Sequence, residues 1–334
     1  MSWKVVITAP PIEKVGQNAV ALLKAAGCEV VNSAILGSPG SEDVLKIIKD
    51  ADAVIAGVEK YSADVFSVPE TKRLKLISRW GVGFDAIDVT SATREGILIT
   101  YTPGMTDESV ADYTMGLLLA LVRRIIDGYE TMSKGLWQPA WGHDMNGKTL
   151  GILGYGRIGQ AVARRAKGFG LELIAHDPHP PMGTDQFGTQ FVSFNELLER
   201  SDYLSLHATL TSSTRDLIGE AQLQKMKPSA YLINAARGPL VNEQALIRAL
   251  NEGWIAGAAL DAFTVEPLPV DHPFRRTPNL LLSPHQASSS RESGELISLA
   301  TAQAVLDLMA GKKPKMPLNS EVFNSPNLRA KLKN

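Results

Sequence analysis

A single cysteine, Cys28, stands among the 334 residues, so no internal disulfide can form and no cysteine-based metal site is available. It precedes a valine-rich stretch and reads as a small buried apolar residue. Excess charge is also missing. The formal net charge is −1, with no basic run before the lysine-rich end, which excludes a nucleic-acid surface built on clustered Lys and Arg. The closing run from Arg329 to Lys333 reads as a solvated tail. The strongest apolar stretch, Met115 to Val122, is far short of the roughly 20 residues that span a bilayer, so no membrane partner is expected. The start, Met1 to Thr8, lacks a basic segment followed by an apolar one, which makes the cytoplasm the expected location.

What is present is ordinary globular composition, 44% hydrophobic and 21% charged, in a chain long enough for two domains. Short β-branched runs alternate with helical patterns, which predicts parallel α/β sheets. A first series of strands falls at 4–8, 29–31, 53–56, 74–78 and 97–100, with amphipathic stretches at 13–26 and 41–50 between them. A second series falls at 149–153, 171–176, 203–207, 230–234, 255–260 and 280–283, the size of a dinucleotide-binding domain. A long helix over 106–127 separates the two series, and another over 289–310 follows the last strand. The last helix is expected to return to the first domain. The reading is therefore two doubly wound domains: a smaller flavodoxin-like substrate or lid domain, residues 1–103 and 288–334, and a Rossmann domain, residues 104–287.

Gly154-Tyr-Gly156-Arg157-Ile158-Gly159 follows a strand and opens a helix over 160–168. The first glycine permits the tight turn, the second lets backbone N–H groups approach a pyrophosphate, and the third lets the helix pack close to the strand. The next strand ends in Asp177, 23 residues after Gly154, where a carboxylate can bind the ribose hydroxyls of NAD and repel the extra phosphate of NADP. His176, His179 and Arg157 can soften that preference, so NAD is favoured over NADP. Gly81-Val82-Gly83-Phe-Asp-Ala86 fits the same pattern loosely, but its following strand offers no ribose acid. That turn either presents N–H groups to a small anion or only satisfies unusual dihedrals.

Three further segments at strand ends carry reactive side chains: Arg237 after Asn234-Ala-Ala, Glu266 after Asp261-Ala-Phe-Thr-Val, and His285 after Ser283-Pro. A guanidinium can grip a carboxylate and polarise the adjacent carbonyl. A histidine can give or take the proton of the carbinol, and a carboxylate beside it fixes its tautomer. Taken singly, each has a plainer reading, as a turn arginine, a loop acid and a strand-end histidine.

The run from Asn234 to Val241, the run from Asp261 to Pro267 and Ser283-Pro-His-Gln-Ala287 together resemble the D-isomer-specific 2-hydroxyacid dehydrogenase family. The chain is most similar to phosphoglycerate dehydrogenase-like and hydroxypyruvate/glyoxylate reductase-like members. Gly81 to Asp88, Thr102-Pro-Gly-Met and Ser109 to Thr114 extend the resemblance over nearly the whole chain. It implies NAD-dependent transfer of a hydride to or from a small 2-oxo or 2-hydroxy acid, with His285 as general acid/base, Glu266 as its partner and Arg237 on the substrate. It also implies cofactor contacts from Asp261, His207 and Ala235, and substrate contacts from Arg79, Trp80, Val82 and Gly83. A lid-like first domain and a homodimer joined through the cofactor domains follow from the same resemblance. No metal is implied.

Two positions depart from the family pattern. His207-Ala-Thr209 replaces the usual His-x-Pro, and Trp80 stands where many phosphoglycerate dehydrogenases carry a small residue. Arg79 beside it can receive a phosphate or second carboxylate. The chain ends soon after the return helix, so no amino-acid-sensing domain is expected. Two other readings compete: an NAD-sensing corepressor-like binding protein, and a formate- or phosphite-type dehydrogenase.

Overall fold

A computed structural model describes residues 2–34, 40–180 and 185–333. The chain divides into two compact units, Met1–Thr106 with Ser289–Asn334, and Asp107–Ser288.

The first unit is built on five short strands: β1 (Lys4–Ile7), β2 (Glu29–Asn32), β3 (Ala53–Ala56), β4 (Leu76–Arg79) and β5 (Leu98–Thr100). All are parallel, in the order β2-β1-β3-β4-β5. Such a sheet is covered on both faces, and period-two alternation sorts each strand between two cores. Val5 and Ile7 join Leu23, Leu76 and Val305 on one side, while Val6 joins Val44, Ile48, Val54 and Phe66 on the other. The helix Arg291–Met309 lies in the first of these cores, capped at its start by Ser290, whose hydroxyl accepts from Ser293 N at 3.0 Å. Beyond it, Asn319 is fully buried and stitches the end of the chain to the sheet, accepting from Ile99 N at 2.8 Å and donating to Ile97 O at 3.0 Å.

The second unit carries β6 (Thr149–Leu153), β7 (Glu172–His176), β8 (Gln190–Phe191), β9 (Tyr203–Leu206), β10 (Tyr231–Asn234), β11 (Gly257–Leu260) and β12 (Leu280–Leu282). These seven are parallel in the order β12-β11-β10-β9-β6-β7-β8, a doubly wound Rossmann sheet. Leu150 and Ile152 pack with Met115, Leu118 and Val162 on one face, and Leu204, Leu206 and Leu232 with Leu197 and Leu246 on the other.

Two features differ from the sequence reading. β8 was not foreseen, because two residues are too few to show a period. The long helix expected over 106–127 is two helices, Asp107–Val122 and Ile125–Ser133. The break falls at Arg124, which takes the left-handed conformation, φ 53°, without the glycine or proline that marks such a site in a sequence.

Candidate active site

In parallel sheets every strand ends on the same edge, so the residues that follow β6, β10, β11 and β12 share one side of the second unit. At the end of β6, Gly154 has φ 89°, and a Cβ there would lie 2.6 Å from Ala208 N. At Gly159 a Cβ would lie 2.3 Å from the Gly154 carbonyl, so this glycine lets the helix Arg157–Lys167 start directly over the turn. Gly156, between them, is the helix N-cap and has only open space where its side chain would be. The first turn of the helix holds no acidic residue and no side-chain cap, leaving its N–H groups and positive end for an anion. These are the steric demands of a bound dinucleotide phosphate.

Asp177, just past β7, accepts from Tyr155 N at 2.8 Å through one oxygen and from His179 N at 2.8 Å through the other. Asp177 is thus tied to the glycine turn. Arg157 reaches Asp107 Oδ2 at 2.7 Å on the surface, and Ile158 packs against the core below the turn. His207, at the end of β9, has burial pushing its imidazole down to about 4, with Nε2 2.8 Å from Ser205 Oγ. It is a neutral wall of the site near neutral pH.

The catalytic candidates sit on three neighbouring strands. Asn234 is fully buried at the end of β10; its Oδ1 accepts from Ala236 N at 3.1 Å and its Nδ2 donates to Arg237 O at 2.9 Å, which shapes the Ala235–Arg237 turn. A Cβ at Gly238 would fall 2.0 Å from the Phe263 carbonyl carbon, so only glycine lets that turn press against the segment carrying Glu266. Glu266 accepts from Phe263 N at 2.8 Å with Oε1, and its Oε2 lies 2.7 Å from His285 Nδ1. Burial alone would raise the Glu266 carboxyl. The His285 hydrogen bond and charge, the Phe263 N–H and the Arg237 guanidinium outweigh it and hold the group below its ordinary range. An ionised Glu266 can only accept, which puts a proton on Nδ1 and leaves Nε2 as the exchanging nitrogen of a side chain 42% exposed.

His285 itself has φ 49°, a left-handed conformation uncommon outside glycine. Asp261 holds it there. This carboxylate is 1% exposed; Oδ1 accepts from Ser283 Oγ at 2.5 Å and Gln286 N at 3.0 Å, and Oδ2 from Ala287 N at 2.8 Å. The resemblance implies a cofactor contact for Asp261; in the structure both of its oxygens accept from the turn that carries the histidine. The sequence reading quoted Asn234 and Ser283 without giving them these tasks.

In the first unit, the Gly81 turn after β4 is held by Thr102, whose Oγ1 accepts from Gly81 N at 3.2 Å and whose N–H donates to Gly81 O at 3.1 Å. Arg79 lies within this turn, donating from Nε to Gly83 O at 2.8 Å and from Nη1 to Trp80 O. Trp80 points its Nε1 to Ser298 Oγ at 2.9 Å and packs on the core. The two side chains expected to read the substrate thus also have backbone and core partners. Among the described residues, no acceptor faces the N–H of Val82 or Gly83.

Residues 115–287 match the model of the NAD binding domain of D-isomer specific 2-hydroxyacid dehydrogenases. The chain belongs to this family. A glyoxylate reductase of Korarchaeum cryptofilum is 40% identical over 85% of this chain and 87% of its own. A D-3-phosphoglycerate dehydrogenase of Methanocaldococcus jannaschii is 40% identical over 86% of this chain and 54% of its own. A Thermus thermophilus protein of known crystal structure superposes with a TM-score of 0.86 at 37% identity, covering 94% of this chain and 99% of that one. This family member is therefore an NAD-linked oxidoreductase of small hydroxy and oxo acids. Among the described residues, no helix is long and apolar enough to cross a membrane, and no group of three or more His, Cys, Asp or Glu side chains is placed to hold a metal.

Proposed function

We propose that the enzyme reduces a small 2-oxo acid of the glyoxylate or hydroxypyruvate type, with His285 as proton donor. The observation that carries this is the His285–Glu266 pair at 2.7 Å, on the strand ends that also bear Arg237 and the glycine turn. Bound NADH supplies the hydride. Gly154, Gly156, Arg157, Ile158 and Gly159 seat its phosphates and Asp177 its ribose, with His207 and Ala235 lining the site. Arg237 binds the substrate carboxylate and polarises the carbonyl, and His285 Nε2 delivers the proton as the alkoxide forms. Glu266 stabilises the imidazolium form before that transfer. Asp261 holds the histidine turn. In the first unit by itself, the unopposed N–H groups of Val82 and Gly83 suit a small anion, with Arg79 and Trp80 shaping their turn.

The relatives named above favour an acid with a 2-oxo carbonyl over formate or phosphite, and over a binding protein without turnover. Absorbance-monitored NADH oxidation should be measured with glyoxylate, hydroxypyruvate, 3-phosphohydroxypyruvate and bulkier 2-oxo acids. Turnover is expected to be best with the small unphosphorylated acids, because the Arg79 guanidinium is already committed to carbonyls. Preference for 3-phosphohydroxypyruvate would overturn that choice, and saturable NADH binding without turnover of any acid would favour the corepressor-like reading.

The same proposal includes a cytoplasmic homodimer that works without nucleic acid or membrane. Residues 123–142 support it. They leave the core at Val122 and return where His143 N donates to Val122 O at 3.0 Å, and between those points Tyr129, Met132, Leu136, Trp137 and Trp141 are exposed. Such an apolar arm is costly to leave in water. Sedimentation should give twice the chain mass; a monomer at micromolar concentration would contradict it.

A further inference from the structure

The middle residue of the phosphate turn is a tyrosine, and its side chain is turned inward. Tyr155 is 3% exposed, between two glycines that have no side chains to anchor them. Its phenol donates to Asp185 and lies 2.7 Å from Thr189 Oγ1. Asp185 in turn accepts from Phe187 N at 3.1 Å and Thr189 N at 2.8 Å, so one carboxylate organises the segment leading into β8. The Tyr155 ring meets Phe191 of β8 edge to face at 5.1 Å between centroids. At the backbone end, Tyr155 N donates to Asp177 and Tyr155 O accepts from Gln160 Nε2 at 3.0 Å.

One residue therefore touches three parts, the phosphate turn, Asp177 and the β8 segment, adding side-chain links to those that His176 makes with Gly154 N and Val192 O. The physical need is clear. A turn with φ 89° at Gly154 and a second glycine at Gly156 has more conformational freedom than one built from residues that carry side chains. Unless something fixes it beforehand, the cofactor must supply the ordering free energy on binding. Burial and the Asp185 hydrogen bond raise the phenol well above its ordinary range, which keeps it a donor near neutral pH.

We propose that Tyr155, acting through Asp185 and Thr189, is a positioning residue that presets the phosphate turn and Asp177, and so sets both the affinity for NADH and the discrimination against NADPH. This rests on the reading of Gly154 to Asp177 as the cofactor site. A purely space-filling tyrosine would be replaced by phenylalanine without consequence for the cofactor, since the ring and its contact with Phe191 remain.

The test is fluorescence titration of Tyr155→Phe with NADH and NADPH, beside steady-state kinetics and thermal unfolding. Loss of a hydrogen bond to a charged group predicts about a tenfold rise in the NADH Kd and a narrower NADH-to-NADPH ratio. The KM of the 2-oxo acid at saturating NADH should stay within about twofold, placing the loss on the cofactor. Asp185→Ala should reproduce the effect, and the double variant should add little to either single one. A lower unfolding midpoint with unchanged Kd values in both variants would overturn the proposal and leave Tyr155 as packing alone. A parent protein that fails to bind NADH would overturn it together with the cofactor reading beneath it.

Discussion

The two sheets reverse their winding at equivalent places, between β1 and β3 in the first unit and between β6 and β9 in the second. Both fix the start of these strands in the same way. Asp52 accepts from Lys4 N at 3.0 Å and is neutralised by Lys75 and Arg73, and Asp202 accepts from Thr149 N at 2.8 Å and is neutralised by Lys227. The opposite ends, where open α/β sheets hold ligands, are built differently. In the first unit Glu59 is 1% exposed, and its Oε1 accepts from Thr8 Oγ1, from Gly57 N at 3.1 Å and from Tyr61 OH at 2.7 Å. The helix that follows β1 begins after two prolines, which have no N–H to offer, and carries Glu13 in its first turn. In the second unit the helix that follows the glycine turn has no side-chain cap and no acidic residue in its first turn. A carboxylate of the protein fills one crevice through Glu59 Oε1, and no acidic side chain stands in the first turn of the helix at the other.

Three predictions probe that contrast. The largest effect is expected for Glu59→Ala, which removes the acceptor shared by Tyr61 OH, Gly57 N and Thr8 Oγ1, leaves the last two only their longer bonds at 3.3 Å to Thr8 Oγ1 and 3.2 Å to Ile55 O, and should cost on the order of 3 kcal/mol of unfolding free energy. NADH affinity should not change. An unaltered denaturant midpoint would mean that the crevice is not held by this carboxylate. Next, Asp177→Ala removes the acid proposed to bind the ribose, and should lower the preference for NADH over NADPH by roughly tenfold. A ratio equal to the parent's would assign selectivity to another group. The third is a pH dependence, spread over the acid range. The folded His207 imidazole titrates at about 4 against 6.5 when unfolded, so the unfolded chain takes up the proton first. Its contribution is complete above about 6.5 and is lost as pH falls toward about 4, lowering the unfolding midpoint in that window. His207→Asn should flatten that slope.

Much of this architecture is legible in the letters, because glycine spacing and β-branched runs report backbone demands directly. The open turn at Gly154 to Gly159 and the alternation of strand and helix are of that kind. What stays hidden depends on tertiary partners. Glu59 sits between Val58 and Lys60, both exposed, and nothing in that triplet marks the middle residue as buried. Arg79 beside a glycine turn suggests an anion, and only the fold reveals that the Gly83 and Trp80 carbonyls claim its guanidinium. Asp261 has the chemistry of a cofactor contact, yet its oxygens meet N–H groups 25 and 26 residues away. The anchor of Tyr155 on Asp185 spans 30 residues in the same manner.

The central claim is that the second unit binds NADH through its open turn and uses His285 to deliver the proton. It is tested most directly by measuring NADH binding and 2-oxo acid reduction side by side in His285→Ala. The expected result is NADH affinity equal to the parent's with turnover reduced by about 10²–10⁴-fold. Turnover at the parental rate would contradict it.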